Sequence, residues 1–369
     1  MIPVPQSLRI YPWGLLATLI FIAGFGALVL YSAAGGAWSP WALKHGMRFG
    51  LFLTMALVIG YLIPLRLIAR FAYPIFGGVL ILLLGVELLG AVRGGSQRWL
   101  NIGFMNLQPS ELMKVAIVLA CARFFSLLPP AETSRLSALW PPLLLIAVPG
   151  ALVMLQPDLG TALAIITSGV VVMFLAGLPL WWFISAAVAG AAALPILYGM
   201  LHDYQQRRVL IFLNPEEDPL GAGYHITQSK IAIGSGGIGG KGFLEGSQSH
   251  LDYLPEGHTD FIFATMAEEW GMVGGLALGL AYFFLLRWST RVALAAPTRF
   301  GQLTAAGLTM TIFFYIAINL MMVMGLAPVV GIPLPLFSHG GSSMMTIMLC
   351  VGIILAVQQD RGTNRWAFR

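Results

Sequence analysis

Gly14-Leu-Leu-Ala-Thr-Leu-Ile-Phe-Ile-Ala-Gly-Phe-Gly-Ala-Leu-Val-Leu-Tyr-Ser32 runs for 19 residues without a charged side chain. That is the length an α-helix needs to cross a bilayer core about 30 Å thick, roughly 20 residues. A secretory signal has a shorter apolar region, about 7–15 residues, so this run reads as a retained first helix despite Arg9 ahead of it. Comparable runs recur near 46–64, 70–91, 109–128, 138–156, 158–177, 180–201, 261–286, 302–324 and 342–358. The fifth and sixth are separated only by Gln156-Pro157-Asp158, and the sixth and seventh by Gly177-Leu178-Pro179. Membrane-barrel strands would instead read as alternating segments of about ten residues. The chain as a whole is 58% hydrophobic and 9% charged, against about 25% charged in soluble domains. These numbers exclude a water-soluble globule. The expectation is an all-α polytopic membrane protein of about ten transmembrane helices, one domain over residues 1–369.

Loop charges orient it. Arg9, Arg66, Arg70, Arg123, Arg135, Arg287, Arg291, Arg299, Arg361, Arg365 and Arg369 fall on one side, and Lys44, Arg48, Arg93 and Arg98 on the other. Eleven against four puts both termini in the cytoplasm. The net charge of +5 therefore records loop bias and not an affinity for nucleic acid. Cys121 and Cys350 both lie in apolar runs, which argues against a disulfide framework or a cysteine metal site.

The long segment 202–260, between the seventh and eighth spans, then faces outward. It holds eight of the chain's 15 acids, plus His225, His250 and His258. Loops this long are uncommon in compact proteins unless functional, so chemistry is expected there. Within it, Gly234-Ser-Gly-Gly-Ile-Gly239 spells G-x-G-x-x-G but has no βαβ setting, and Lys241 is followed by Gly242 where a P-loop needs Ser or Thr. What remains is a hinge or a backbone that approaches something closely. Lys241 and nearby amides could also hold phosphate.

Charges inside the apolar runs need partners or a cavity. Glu111 and Lys114 share a helix face. They read either as an internal ion pair or as the wall of a polar cavity that attracts phosphate, with Arg98 and Gln108 nearby. Asp158, at the head of the sixth span, offsets the helix dipole as a first-turn acid. In Leu254-Pro-Glu-Gly-His-Thr-Asp-Phe261, three titratable groups, Glu256, His258 and Asp260, meet the membrane border. A partly desolvated Asp260 could serve as a general base. Spacing alone favours a plainer role, an N-cap for the eighth span. A His/Asp/Glu metal site has no diagnostic spacing here.

The segments Arg98-Trp-Leu-Asn-Ile-Gly103, Gln108-Pro-Ser-Glu-Leu-Met-Lys114, Gln156-Pro-Asp-Leu-Gly-Thr161, Gly223-Tyr-His-Ile-Thr-Gln-Ser229, Pro255-Glu-Gly-His-Thr-Asp-Phe-Ile-Phe263 and Pro328 to Ser343, in that order, resemble the SEDS family (shape, elongation, division and sporulation proteins) along nearly the full chain. Gly246-Ser-Gln-Ser-His-Leu251 is similar to the elongation branch of that family. Two departures stand out: Ser338-His339-Gly340-Gly341 where the family usually has Ser-Tyr-Gly-Gly, and Gly257 where a bulkier residue is common.

The resemblance implies a peptidoglycan glycosyltransferase that polymerises lipid II at the outer face of the cytoplasmic membrane, with Asp260 as the catalytic aspartate. It also implies undecaprenyl-linked glycan as substrate, a class B penicillin-binding protein as partner and a place in the rod-shape elongation machinery. The candidate substrate contacts are Arg98, Glu111, Lys114, Asp158, Arg208, Lys241, Glu256, His258 and Ser338. A leaving pyrophosphate calls for cations, with Mg2+ or Mn2+ a further candidate whose ligands the sequence does not identify. The rival readings are a lipid flippase or transporter using Glu111, Lys114 and Asp158 as its path, and a non-catalytic scaffold that activates the penicillin-binding partner.

Overall fold

The computed structural model describes residues 12–366 except 90, 94–95, 102–105, 130–131, 134, 157, 201–205, 207–209, 212–213, 215–220 and 251–256. Each apolar run of the sequence is a helix. These are α1 (Trp13–Ala33), α2 (Ala42–Leu62), α3 (Leu65–Leu89), α4 (Pro109–Leu127), α5 (Leu136–Leu155), α6 (Leu159–Leu175) and α7 (Leu180–Met200). After the long segment, with α8 (Ala222–Gly236) and the short α9 (Ser247–His250), come α10 (Ile262–Leu294), α11 (Arg299–Val323) and α12 (Gly341–Trp366). Seven of them are long and apolar enough to cross a membrane, and α6 and α7 hold shorter apolar stretches. Large apolar side chains lie exposed around the bundle, among them Leu144, Val188, Leu276 and Phe283. A surface of that kind belongs in lipid.

α4 differs from the others. It carries Glu111, Lys114 and Arg123, yet it is buried on nearly every side, packed by α3, α5, α6, α11 and α12. A helix buried all round sits at the centre of a protein. Its charges therefore face other helices and not lipid. The division at Gln156 is real: α5 ends at Leu155, and α6 starts after Asp158, whose carboxylate accepts from the Thr161 amide at 3.1 Å.

Two features extend the all-helical expectation. Between α3 and α4 the chain forms a small antiparallel sheet of β1 (Ala91–Arg93), β2 (Ser96–Asn101) and β3 (Asn106–Leu107), in register Val92 opposite Gln97 and Leu100 opposite Leu107. This stretch is too short and polar to span, so its backbone groups pair with one another. The second is a break in α10. Gly271 takes φ 59°, outside the helical region, so the normal i to i−4 bonds fail around it. The amides of Met272 and Val273 donate instead to Gly237 and Ile238 carbonyls at 2.9 and 3.2 Å. In exchange the amides of Lys241 and Gly242 donate to the carbonyls of Glu268 and Glu269 at 2.9 and 3.1 Å. The glycine run is thus neither a hinge nor a nucleotide loop: its backbone replaces the missing turn of α10. At Gly240, φ 80°, a Cβ would lie 2.0 Å from the Glu269 carbonyl oxygen.

Candidate active site

One end of the bundle opens into a cleft of about 490 Å³. Pieces from several parts of the chain build it. β2 brings Arg98, the start of α4 brings Gln108 and Glu111, the start of α6 brings Asp158, and the approach to α10 brings Asp260. The segment 324–340 and the start of α12 close the remaining side with Val330, Gly331, His339 and Ser342.

Asp260 is not a helix cap. α10 begins at Ile262, its N-cap is Phe261, and no side chain caps it. The expectation from spacing therefore fails by one residue, and the Asp260 side chain lines the cleft instead. Its backbone is fixed from below: Asn319 Nδ2 donates to the Asp260 carbonyl at 2.8 Å and to the Ile332 carbonyl at 2.7 Å. One amide in the middle of an apolar helix thereby ties α11 to both walls of the cleft. Asn319 is an intramembrane polar residue inside the run 302–324, and its sequence setting carries no mark of the partners it finds.

Asp158 is shared. Besides capping α6 it accepts from Gln108 Nε2 at 3.0 Å and lies 3.5 Å from the Arg98 guanidinium, which also donates to the Gln156 carbonyl at 2.7 Å. Arg98 is thereby held at the cleft rim, its side chain 22% exposed. Glu111 lines the cleft and forms the closed part of a triad beneath it. Lys114 Nζ donates to Glu111 Oε1 at 2.6 Å and to the Tyr315 hydroxyl, and that hydroxyl donates to Glu111. Lys114 is fully buried, so it acts on the cleft through Glu111. Tyr315 is the member of this triad that the sequence reading missed.

The remaining candidates are dispersed. Lys241 belongs to the break in α10, where it donates to Glu268 at 2.6 Å and to Ser247 at 2.8 Å. Ser338 is buried and accepts from the Leu334 amide at 2.8 Å, closing the turn that delivers His339. His258 stacks on Trp41 with ring centroids 4.1 Å apart, and its carbonyl accepts from the His339 amide at 3.1 Å. Arg208 and Glu256 lie outside the described residues.

His339 is a departure from the family pattern, and it lines the same cleft as Asp260. Burial first, then the neighbouring Arg48 and His258, lower its pKa to about 4. A neutral ring fits the geometry, since Arg48 Nη1 lies 3.2 Å from Nε2 and can donate to it. Among the described residues no three His, Cys, Asp or Glu side chains converge for a metal. Glu111 and Asp158 already accept from Lys114, Tyr315, Gln108 and Thr161. The cleft carboxylates Glu111 and Asp158 are therefore already engaged by protein donors.

The bundle and its cleft define a multi-pass helical membrane protein with a carboxylate, Asp260, and a guanidinium, Arg98, lining one cleft at one end. The chain belongs to the FtsW/RodA/SpoVE family of cell cycle proteins, which matches residues 10–363. It is similar to the peptidoglycan glycosyltransferase MrdB of Escherichia coli K12, 44% identical over 351 residues that cover 94% of this chain and 93% of that one. It is likewise similar to MrdB of Helicobacter pylori strain 26695, 37% identical over 317 residues, 85% and 82% of the two chains. Among solved structures, a chain of a peptidoglycan synthase complex that coordinates polymerization and crosslinking aligns with a TM-score of 0.82 at 33% identity, covering 95% of this chain and 98% of that one. The rod shape determining protein RodA of Thermus thermophilus aligns at 0.70 and 30%, covering 95% and 97%.

Proposed function

We propose that this chain is a peptidoglycan glycosyltransferase that polymerises lipid II into glycan strands during cell elongation, with Asp260 as the general base. The observation that carries the assignment of Asp260 is its release from capping duty into a cleft that also holds Arg98. The relatives named peptidoglycan glycosyltransferase support the reaction class.

In the reaction, Asp260 takes the proton of the acceptor GlcNAc 4-hydroxyl. The oxygen attacks the anomeric carbon of the growing chain as the bond to undecaprenyl pyrophosphate breaks, inverting that centre. Negative charge gathers on the leaving pyrophosphate, and a preorganised cation nearby lowers the barrier most. Arg98 is suited to this, because its guanidinium is held in place by Asp158 and the Gln156 carbonyl. Glu111, held by Lys114 and Tyr315, is a positioning residue at the cleft wall. No step is assigned to a divalent ion.

The excess of basic loop residues supports cytoplasmic termini and an outward-facing cleft. A class B penicillin-binding protein is the proposed partner, because the related complex couples polymerization to crosslinking.

The test is lipid II polymerisation by purified protein with its partner present, comparing wild type, Asp260→Ala and Asp260→Asn. Strands from wild type and none from either folded variant support Asp260 as the base. Equal strand formation from the variants removes it from catalysis. No strands from partnered wild type return the flippase and scaffold readings to the front.

A further inference from the structure

At the end of the bundle opposite the cleft, a cavity of about 440 Å³ is lined by Arg66 and Arg70 of α3, Arg123 of α4, Thr298 and Arg299 at the start of α11, and Asp360 of α12. Its volume falls within the roughly 300–1,000 Å³ typical of small-molecule sites. Four guanidinium groups face one carboxylate. Arg299 is tied to the Leu128 and Ala176 carbonyls at 2.8 and 3.1 Å, which fixes the cavity wall. Arg66, Arg70 and Arg123 form no ion pair among the described residues. The N-terminus of α11, capped by Thr298, adds the positive end of a helix dipole.

A topological bias of basic residues requires only that they lie on one side of the membrane. It does not require arginines from three helices to converge on one cavity, nor that Arg123 sit half-buried in the last turns of α4. Guanidinium forks match phosphate oxygens bidentately. The surroundings decide which phosphate. Leu67 and Phe71, each next in sequence to a cavity arginine, are 42% and 46% exposed, and Leu127 just beyond Arg123 is 61% exposed. Charge inside and apolar side chains outside is the pattern of a lipid held by its headgroup with its tails along the protein.

We infer that this cavity binds the phosphodiester headgroup of an anionic phospholipid, a site separate from the cleft. The two lie at opposite ends of α4, where Glu111 and Arg123 are about 18 Å apart along the axis at 1.5 Å per residue.

The experiment is native mass spectrometry of the full chain in detergent, titrated with phosphatidylglycerol or phosphatidylethanolamine, with inorganic pyrophosphate as the soluble competitor. Wild type is expected to retain one phosphatidylglycerol at least tenfold better than phosphatidylethanolamine. The Arg70→Gln/Arg123→Gln pair should lose that preference, while Arg287→Gln/Arg291→Gln, at the same end but outside the cavity, should keep it. If the glutamine pair lowers the melting temperature in lipid-free detergent, Arg66→Gln alone carries the test, with the same direction expected. Equal retention by the cavity variants overturns the proposal, as does equal retention of phosphatidylethanolamine. Displacement of the lipid by pyrophosphate at matching concentration overturns it in favour of a free-phosphate site.

Discussion

Asp260 and Gly271 bracket the first turns of α10, and the chain treats polar groups at the two places in opposite ways. At the break, each backbone group freed by Gly271 is taken up by the glycine run, amide for amide and carbonyl for carbonyl, and Lys241 answers the buried Glu268. In the cleft, Asn319 holds the Asp260 backbone, Asp158 holds Arg98, and both residues line the opening. A closed set of bonds gives a rigid joint. Residues anchored by such partners and lining a cleft make a preorganised site, because their positions are fixed before a ligand arrives.

Substitutions should separate the two regions by what they change. The largest effect belongs to Asp260→Asn, with strand formation by partnered protein falling roughly 10²–10⁴-fold, as for a lost general base, while the melting temperature stays at the wild-type value. Glu111→Ala comes next. It strands Lys114 in the interior, and breaking a buried pair costs about 3–5 kcal/mol. Thermal unfolding in detergent should show this loss, and the Glu111→Ala/Lys114→Met double variant should recover part of it. At the break, Gly240→Ala forces a side chain onto a left-handed backbone against the Glu269 carbonyl. A cost of about 1–3 kcal/mol follows from the backbone alone, with activity per folded molecule unchanged. Lost activity without lost stability in Gly240→Ala would show that the joint also shapes the cleft.

The smallest effect is a pH dependence. Folded His339 stays neutral down to about pH 4, whereas an unfolded histidine takes its proton near 6.5. Between those values the unfolded chain binds more protons. The stability contributed by a neutral His339 is therefore complete above about 6.5 and is lost as pH falls toward 4. Melting temperatures measured across that window should fall less steeply for His339→Tyr than for wild type.

The helices were readable because bilayer thickness imposes a length on apolar runs, and each of the ten runs is a helix in the structure. The residues of the cleft were mostly readable too: Arg98, Glu111, Asp158 and Asp260 stand out as charges in or beside apolar segments. Their meeting was not. Arg98 and Asp260 lie far apart in the chain, and the packing of α4, α6 and α11 brings them to one opening. Asp260 misled by one position, since a cap and its neighbour look alike in sequence. A glycine run with a lysine looks like a phosphate cradle in sequence; in the structure the glycines make backbone contacts with α10 and Lys241 donates to Glu268. Tyr315 and Asn319 are not legible as site residues in the sequence, because a single polar residue in an apolar run carries no mark of its partner.

The exchange of bonds at Gly271 also bears on how the chain is made. α8 and the glycine run leave the ribosome before α10 does. Helical backbone enters lipid cheaply because each of its polar groups is already satisfied, and every exception costs several kcal/mol. α10 has four such exceptions, the amides of Met272 and Val273 and the carbonyls of Glu268 and Glu269, and their partners lie in the segment synthesised just before it. The run 237–242 thus acts as a built-in escort for the span that follows, and moving it elsewhere in the gene would separate α10 from the groups that make its insertion affordable.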